Sequence, residues 1–209
     1  FDQIDFEKKY AAIKIHFGEM GNLAFLRPNY AKVVVDLVKD LGGKAFLTDA
    51  NTMYVGSRKN ALDHLETAYE NGFSPFSTGC HVIIADGLKG TDDVAVPVQG
   101  GEYVQNAYIG RAVMDADIVI SLNHFKGHEE AGFGGAIKNL GMGCGSGRGK
   151  RDMHSCGKPS VETDKCVACG ECARNCAHDG PQLKGGKMYI NQINCMGCGR
   201  CIDVCPTGA

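Results

Sequence analysis

The sequence predicts an α/β fold: an open, mostly parallel, Rossmann-like sheet carrying a small α+β module built around metal. Three observations predict it. Short apolar runs of strand composition alternate with segments of helical periodicity through the first two thirds of the chain. Eight cysteines crowd into the last quarter. Those cysteines also form an internal repeat.

The run AAIKIHF over residues 11–17 has strand composition and ends in the loop-like GEMGN of residues 18–22. After Pro28, placed near a helix start, Tyr30, Val33, Val34, Leu37, Val38 and Leu41 recur at helical spacing until Gly42 and Gly43 stop them. Next come a strand over 45–48, a polar loop over 49–57, a helix with Leu62, Leu65 and Tyr69 on one face, and a strand over 81–85. A short helix over 110–116 then leads into a buried strand over 117–122. Strands that alternate with helices pair in parallel, because a parallel pair needs a long crossover. The expected division is an α/β domain over 1–143, a Gly-rich basic linker or loop over 144–160, and a cysteine-rich domain over 161–209.

The chain has 209 residues, of which 44% are hydrophobic and 22% charged, a composition that supports a packed core and excludes wholesale disorder. A formal net charge of -2 leaves no electrostatic footprint for nucleic acid. No run approaches the roughly 18 consecutive apolar residues that insert into a membrane. The chain begins at Phe1 and stops at Ala209, soon after Cys205-Pro206, so it reads as a fragment.

Cys166, Cys169, Cys172 and Cys176 recur 29 positions later as Cys195, Cys198, Cys201 and Cys205. Each set has the spacing C-x2-C-x2-C-x3-C, in which three thiolates hold one [4Fe-4S] cubane and the fourth reaches the other cluster. That rule gives Cys166, Cys169, Cys172 and Cys205 to one cluster, and Cys195, Cys198, Cys201 and Cys176 to a second. Pro206 follows the last cysteine as the pattern expects, whereas Ala177 takes the matching place after Cys176. Zinc and disulfides are the competing explanations, and neither accounts for a doubled run of fixed period. Cysteine use of this kind places the protein in a reducing, anaerobic cytoplasm. The segment over 161–209 resembles bacterial two-cluster ferredoxins.

In open parallel sheets ligands bind beyond the carboxyl ends of the strands. Polar residues at those ends are His16 and Glu19, then Asp49, Asn51 and Thr52, then Asp86, then His124, Lys126 and His128. Of these, His16, Glu19, His124, Lys126 and His128 are the candidate catalytic or binding groups. Gly132, Gly134 and Gly135 read as the opening of a helix that could capture an anion, with Lys126 or Lys138 as counter-charge and Phe133 in the core. The bland alternative is solvated side chains and close helix packing, and Asp86 before Gly87 also reads as a turn former. Neither G-x-G-x-x-G nor a Walker motif is present, so no nucleotide is assigned. Cys80 reads as a small buried hydrophobe. Cys144 and Cys156, with His154 and His128, read either as a soft metal site or as two thiols in a glycine loop.

The stretches KIHFGEMGN (14–22), FLTDANTMYVGSRKNALDHLETAYENGF (46–73) and HFKGHEEAGFGGAIKNLGMGCGSGRGK (124–150) resemble a prokaryotic family of iron-sulfur centre proteins, the domain of unknown function 362. The resemblance implies a ferredoxin module inserted into an α/β domain whose chain resumes afterwards, and it supplies no substrate. Three functions stay open. The chain could transfer electrons to a redox partner protein, act as a redox enzyme on a small anionic ligand held by His16, His124, Lys126 and His128, or serve as an assembly module with structural clusters.

Overall fold

A computed structural model describes residues 3–54, 56–128, 131–154, 157–195 and 197–209. The chain divides into two compact units, Phe1–Thr52 with Gly56–Lys150, and Met53–Val55 with Arg151–Ala209.

The first unit is built on a four-stranded, all-parallel sheet in the order β3-β2-β1-β6, from β1 (Tyr10–Lys14), β2 (Lys44–Asp49), β3 (His81–Ile84) and β6 (Ile118–Ser121). Helices α1 (Pro28–Asp40) and α2 (Ala61–Glu70) make the crossovers that parallel pairing requires. Pro28 opens α1, and the Asn60 side chain caps α2 by accepting from the N–H groups of Leu62 and Asp63. Ile13, Leu47 and Ile84 of the sheet pack with Ala31 and Val35 of α1, Ala68 of α2, and the aromatic rings of Phe17, Phe25 and Phe73. A short helix, α3 (Pro75–Thr78), leads into β3.

The helices turn differently from the expectation. On α1 the buried residues are Ala31, Val35 and Val38, while Tyr30 is exposed and Val33 is 67% exposed. On α2 they are His64, Thr67 and Ala68, with Leu62 67% exposed and Tyr69 also exposed. In both cases small or compact side chains let the helix approach the sheet, and the large apolar residues fall to the flank. His64 and Thr67 are tolerated there because each finds polar partners. The Thr67 hydroxyl donates to the carbonyls of Asp63 and Ser57.

Two antiparallel hairpins, absent from the sequence expectation, stand outside the main sheet. One joins β4 (Asp93–Pro97) to β5 (Asn106–Gly110), and the other joins β7 (Lys126–His128) to β8 (Gly132–Gly134). Gly132 to Gly134 therefore form a strand, with helix α5 (Ala136–Gly141) following, and Phe133 is not in the core. It is 58% exposed and packs on Phe125 at 5.6 Å between ring centroids, since a three-residue strand flanked by glycines brings too little apolar surface to bury it. Helix α4 (Arg111–Met114) connects β5 to β6.

The Gly-rich segment after residue 143 folds on specific contacts. Cys144 is buried with Ala50, Ala85 and Val113, and helix α6 spans Gly147–His154. Gly149 lies so close to β5 that a Cβ there would sit 2.5 Å from the Tyr108 carbonyl oxygen. The glycines admit backbone where the composition alone suggests a linker.

The second unit repeats itself. Helix α7 (Glu171–Arg174) and helix α8 (Arg200–Asp203) lie 29 positions apart, and a hairpin of β9 (Pro181–Lys184) with β10 (Lys187–Ile190) falls between them. Before each helix the backbone takes the same two left-handed steps, Ala168 and Gly170 in the first half, Gly197 and Gly199 in the second. Among the described residues no helix is long and apolar enough to cross a membrane.

Candidate iron-sulfur centre and polar crevice

The cysteine loops of the second unit wrap inward because left-handed backbone alternates with ordinary turns. In the first half this brings Cys166, Cys169 and Cys172 around one cavity, and Cys205 from the second half lines the same cavity. Cys201 also reaches it, and Val167, Met188, Ile190, Ile202 and Pro206 supply apolar walls. In the other half Cys176 and Cys195 approach each other at Gly180, where an added Cβ would lie 3.6 Å from the Cys176 Sγ and 3.4 Å from the Cys195 Cα.

Backbone amides point at the sulfurs. Ala209 N–H donates to the Cys205 Sγ at 3.3 Å, Gly180 N–H to the Cys176 Sγ at 3.4 Å, and Gly197 N–H to the Cys195 Sγ at 3.4 Å. Such bonds favour the thiolate over the thiol, and at Cys166 the amides of Met188 and Ala168 hold the pKa below its ordinary value. At Cys205 the amides of Ala209 and Thr207 do the same. Burial pushes the Cys172 thiol up, and the neighbouring sulfurs of Cys169 and Cys166 push it further. Cys201 is raised by burial and by Cys195, Cys198 and Cys172. Gathered thiolates repel one another until a multivalent cation joins them.

The donor set suits an iron-sulfur cluster. Among the described residues no three His, Cys, Asp or Glu side chains converge as a single ion would need. Five cysteines line the cavity, in an apolar, amide-rich cradle of the kind that tunes cluster potential. A [4Fe-4S] group there would supply one-electron chemistry.

The first unit holds a different kind of site, a network of buried charge under the carboxyl ends of the strands. Lys14, in the middle of an otherwise apolar run, is 1% exposed. Its ammonium pairs with Asp49 Oδ1 at 2.9 Å and donates to Asn139 Oδ1 at 2.8 Å. Asp49 Oδ2 faces Arg58 at 3.5 Å and His64 Nε2 at 3.7 Å. Burial alone would raise the Asp49 pKa, but Lys14 and His64 reverse that and hold the carboxyl well below the usual range. On the other side of Asn51, Asp86 Oδ1 accepts from both the Asn51 backbone and side-chain N–H groups at 2.9 Å. Asp86 is thus a fully buried network member as well as a turn residue, and burial raises its pKa. The Lys150 ammonium donates to the carbonyls of Asn51 and Gly145 at 2.7 Å, and burial lowers its pKa to about 8.

Of the five candidate crevice residues, Glu19 pairs with Arg58, and His16 feels the charge of Arg58. The Arg58 Nε donates to Glu19 Oε1 at 2.9 Å. His16 is depressed to a pKa of about 4 by burial first and then by Arg58, with Lys126 and Lys14 adding to the effect and Asp49 opposing it. His128 is turned into its own hairpin, where Nδ1 accepts from Ala131 N–H at 3.1 Å and the ring lies against Lys138. His124 is exposed. Lys14, Arg58, His64, Asn139 and Lys150 were missed from sequence. The one legible signal among them was Lys14, a charge inside a strand run, which needs a buried carboxylate. Cys80 is buried and its thiol is pushed up by burial. Cys144 is buried in a small apolar cluster, and Cys156 lies outside the described residues.

Comparison with known proteins agrees with the cysteine geometry. Residues 188–209 match the 4Fe-4S binding domain. The cysteine-rich end is 41% identical over 46 residues to an uncharacterized ferredoxin of Methanocaldococcus jannaschii, covering 22% of this chain and 74% of that one. It is 37% identical over 54 residues to the indolepyruvate oxidoreductase subunit IorA of Methanothermobacter thermautotrophicus, covering 25% of this chain and 9% of that one. A longer match, 28% identical over 162 residues, joins 71% of this chain to 44% of a thylakoid-associated protein of Synechocystis. The chain thus spans less than half the length of that relative. Its ferredoxin-like module binds [4Fe-4S] iron and implies iron-sulfur electron transfer. The domain of unknown function DUF362 matches residues 11–195, and the chain belongs to that family.

Proposed function

We propose that this protein carries single electrons through two [4Fe-4S] clusters, exchanging them with a redox partner protein or with a ligand held in the α/β unit. One cluster is held by Cys166, Cys169, Cys172 and Cys205, the other by Cys195, Cys198, Cys201 and Cys176. The observation that carries this reading is the lining of one cavity by Cys166, Cys169 and Cys172 of the first cysteine run together with Cys201 and Cys205 of the second. The exchanged fourth ligand ties the halves together, so removing it should empty one site and weaken the other.

The test is the iron and acid-labile sulfide content of anaerobically reconstituted protein. The expected value is about eight irons per chain, with a broad absorption bleached by dithionite. The Cys205→Ala variant should fall to about four. Two zinc ions without labile sulfide would overturn the reading, and clusters that resist reduction at physiological potentials would leave them a structural role. Free cysteines throughout the described chain suit a reducing compartment such as the cytoplasm.

A further inference from the structure

The two halves of the second unit match position for position at an offset of 29, so a contact made to a cysteine in one half has a counterpart in the other. Some counterparts agree. Gly180 N–H donates to the Cys176 Sγ at 3.4 Å, and Ala209 N–H, 29 positions on, donates to the Cys205 Sγ at 3.3 Å. Matched donors of this kind stabilise negative charge on both sulfurs alike and leave the halves equal.

Two other counterparts differ. The Lys187 ammonium donates to the backbone carbonyl of Cys166 at 2.6 Å, which pins a positive charge on a ligand residue. Its counterpart Lys158 donates to the Gln192 carbonyl at 2.9 Å, three positions short of Cys195. The Thr207 hydroxyl lies 3.7 Å from the Cys205 Sγ, and against a metal-bound thiolate, which carries no proton, the hydroxyl is the donor. The matching position holds His178, whose Nε2 meets the Met53 carbonyl. A third difference has the same sign: the Met188 amide that faces Cys166 has Pro159 as its counterpart, and proline has no N–H to give. A positive charge or a donor beside a cluster sulfur favours the reduced cluster, which carries one more negative charge, and so raises its potential. All three differences favour the same set of cysteines.

We propose that Lys187 and Thr207 make the cluster of Cys166, Cys169, Cys172 and Cys205 the higher-potential member of the pair, so that it takes the first electron. The proposal rests on the two-cluster reading given above. When a one-electron donor delivers a single electron, this cluster gains it and the cluster of Cys195, Cys198, Cys201 and Cys176 stays oxidised. Lys187 and Thr207 are positioning residues, since neither holds iron.

The test is a redox titration of the cluster-loaded chain with dithionite as the electron donor, followed by absorption and by the paramagnetic resonance of the reduced clusters. Two one-electron steps are expected. Thr207→Val and Lys187→Met should each lower the first step by about threefold in its equilibrium constant, about 28 mV, and the double variant by about tenfold, about 59 mV. Lys158→Met should leave the first step in place. Clusters of equal potential would also part into two steps by mutual repulsion, but changes beside one of them would then lower the second step and spare the first. That pattern, or steps unmoved in both variants, would overturn the proposal. Thr207 and Lys187 are exposed, so either variant keeps the test decisive if the other fails to load iron. About eight irons in the unaltered chain without the selective shift is failure of this proposal alone, whereas about four is failure of the two-cluster reading beneath it.

Discussion

Lys14 shows how one residue commits a sheet to its position. It is the fourth buried residue in a strand whose neighbours Ala11, Ala12 and Ile13 are all inaccessible. A lysine there is tolerable only because Asp49, at the end of the adjacent strand, meets it at 2.9 Å. Replacing Lys14 with Met should cost about 3 kcal/mol or more, measured as a lowered urea midpoint, because Asp49 keeps its burial and loses its main partner. Adding Asp49→Asn to that variant should recover part of the loss. His16 gives a second residue-scale expectation. Its folded pKa of about 4 lies below the ordinary 6.5, so between those values the unfolded chain binds more protons than the folded one. Stability should therefore decline as pH falls from about 6.5 to 4, by up to about 1.4 kcal/mol per pH unit, and His16→Gln should flatten that part of the curve. The sequence placed His16 at a strand end, and it does lie just past the end of β1. Arg58 and Lys150 were beyond the strand-end rule, since a loop arginine and a lysine in a glycine-rich run look solvated until the fold closes over them.

At the scale of elements, the two cysteine loops share one backbone path, yet they do not share one residue choice. The position held by Ala168, with φ of 55°, is held by Gly197 in the second loop. Left-handed backbone alone does not demand glycine there, because alanine accepts it in the first loop. What demands it is the His154 carbonyl oxygen, 2.5 Å from where a Cβ at Gly197 would stand. Gly197→Ala should thus lower iron content selectively, from about eight toward about four per chain, while a change at Ala168 to glycine should leave it near full. Element type was largely legible from period and punctuation, as in α1 between Pro28 and the paired glycines. Which side of a helix faces inward was not, because Tyr30 and Leu62 carry more apolar area than the alanines that in fact touch the sheet, and Val33 carries as much as the buried Val35 and Val38. The hairpins were hidden for a related reason: β7 and β8 are three residues each and rich in glycine, too short for alternation to register.

For the whole molecule, the two units draw their stability from different sources. The first has a core of aliphatic and aromatic side chains, whereas the second has few buried large apolar residues and depends on what its cysteines bind. Removing iron with a chelator under reducing conditions should abolish the ordered structure of residues 161–209 and leave a cooperative thermal transition for the sheet. Loss of both together would mean that the sheet cannot fold without the clusters. The central strand also sets a timetable. Tyr10 N–H donates to the Asp117 carboxylate across 107 positions, and the pairing of β1 with β6 follows from there. Contacts of such long range form slowly, and during synthesis they cannot form until the ribosome has released the chain past Ser121. One edge of β1 therefore waits unpaired while the 107 positions from Tyr10 to Asp117 are being made. That edge presents a row of unpaired N–H and C=O groups beside apolar side chains, and it calls for a chaperone or for rapid translation through the β4–β5 hairpin that separates the two strands.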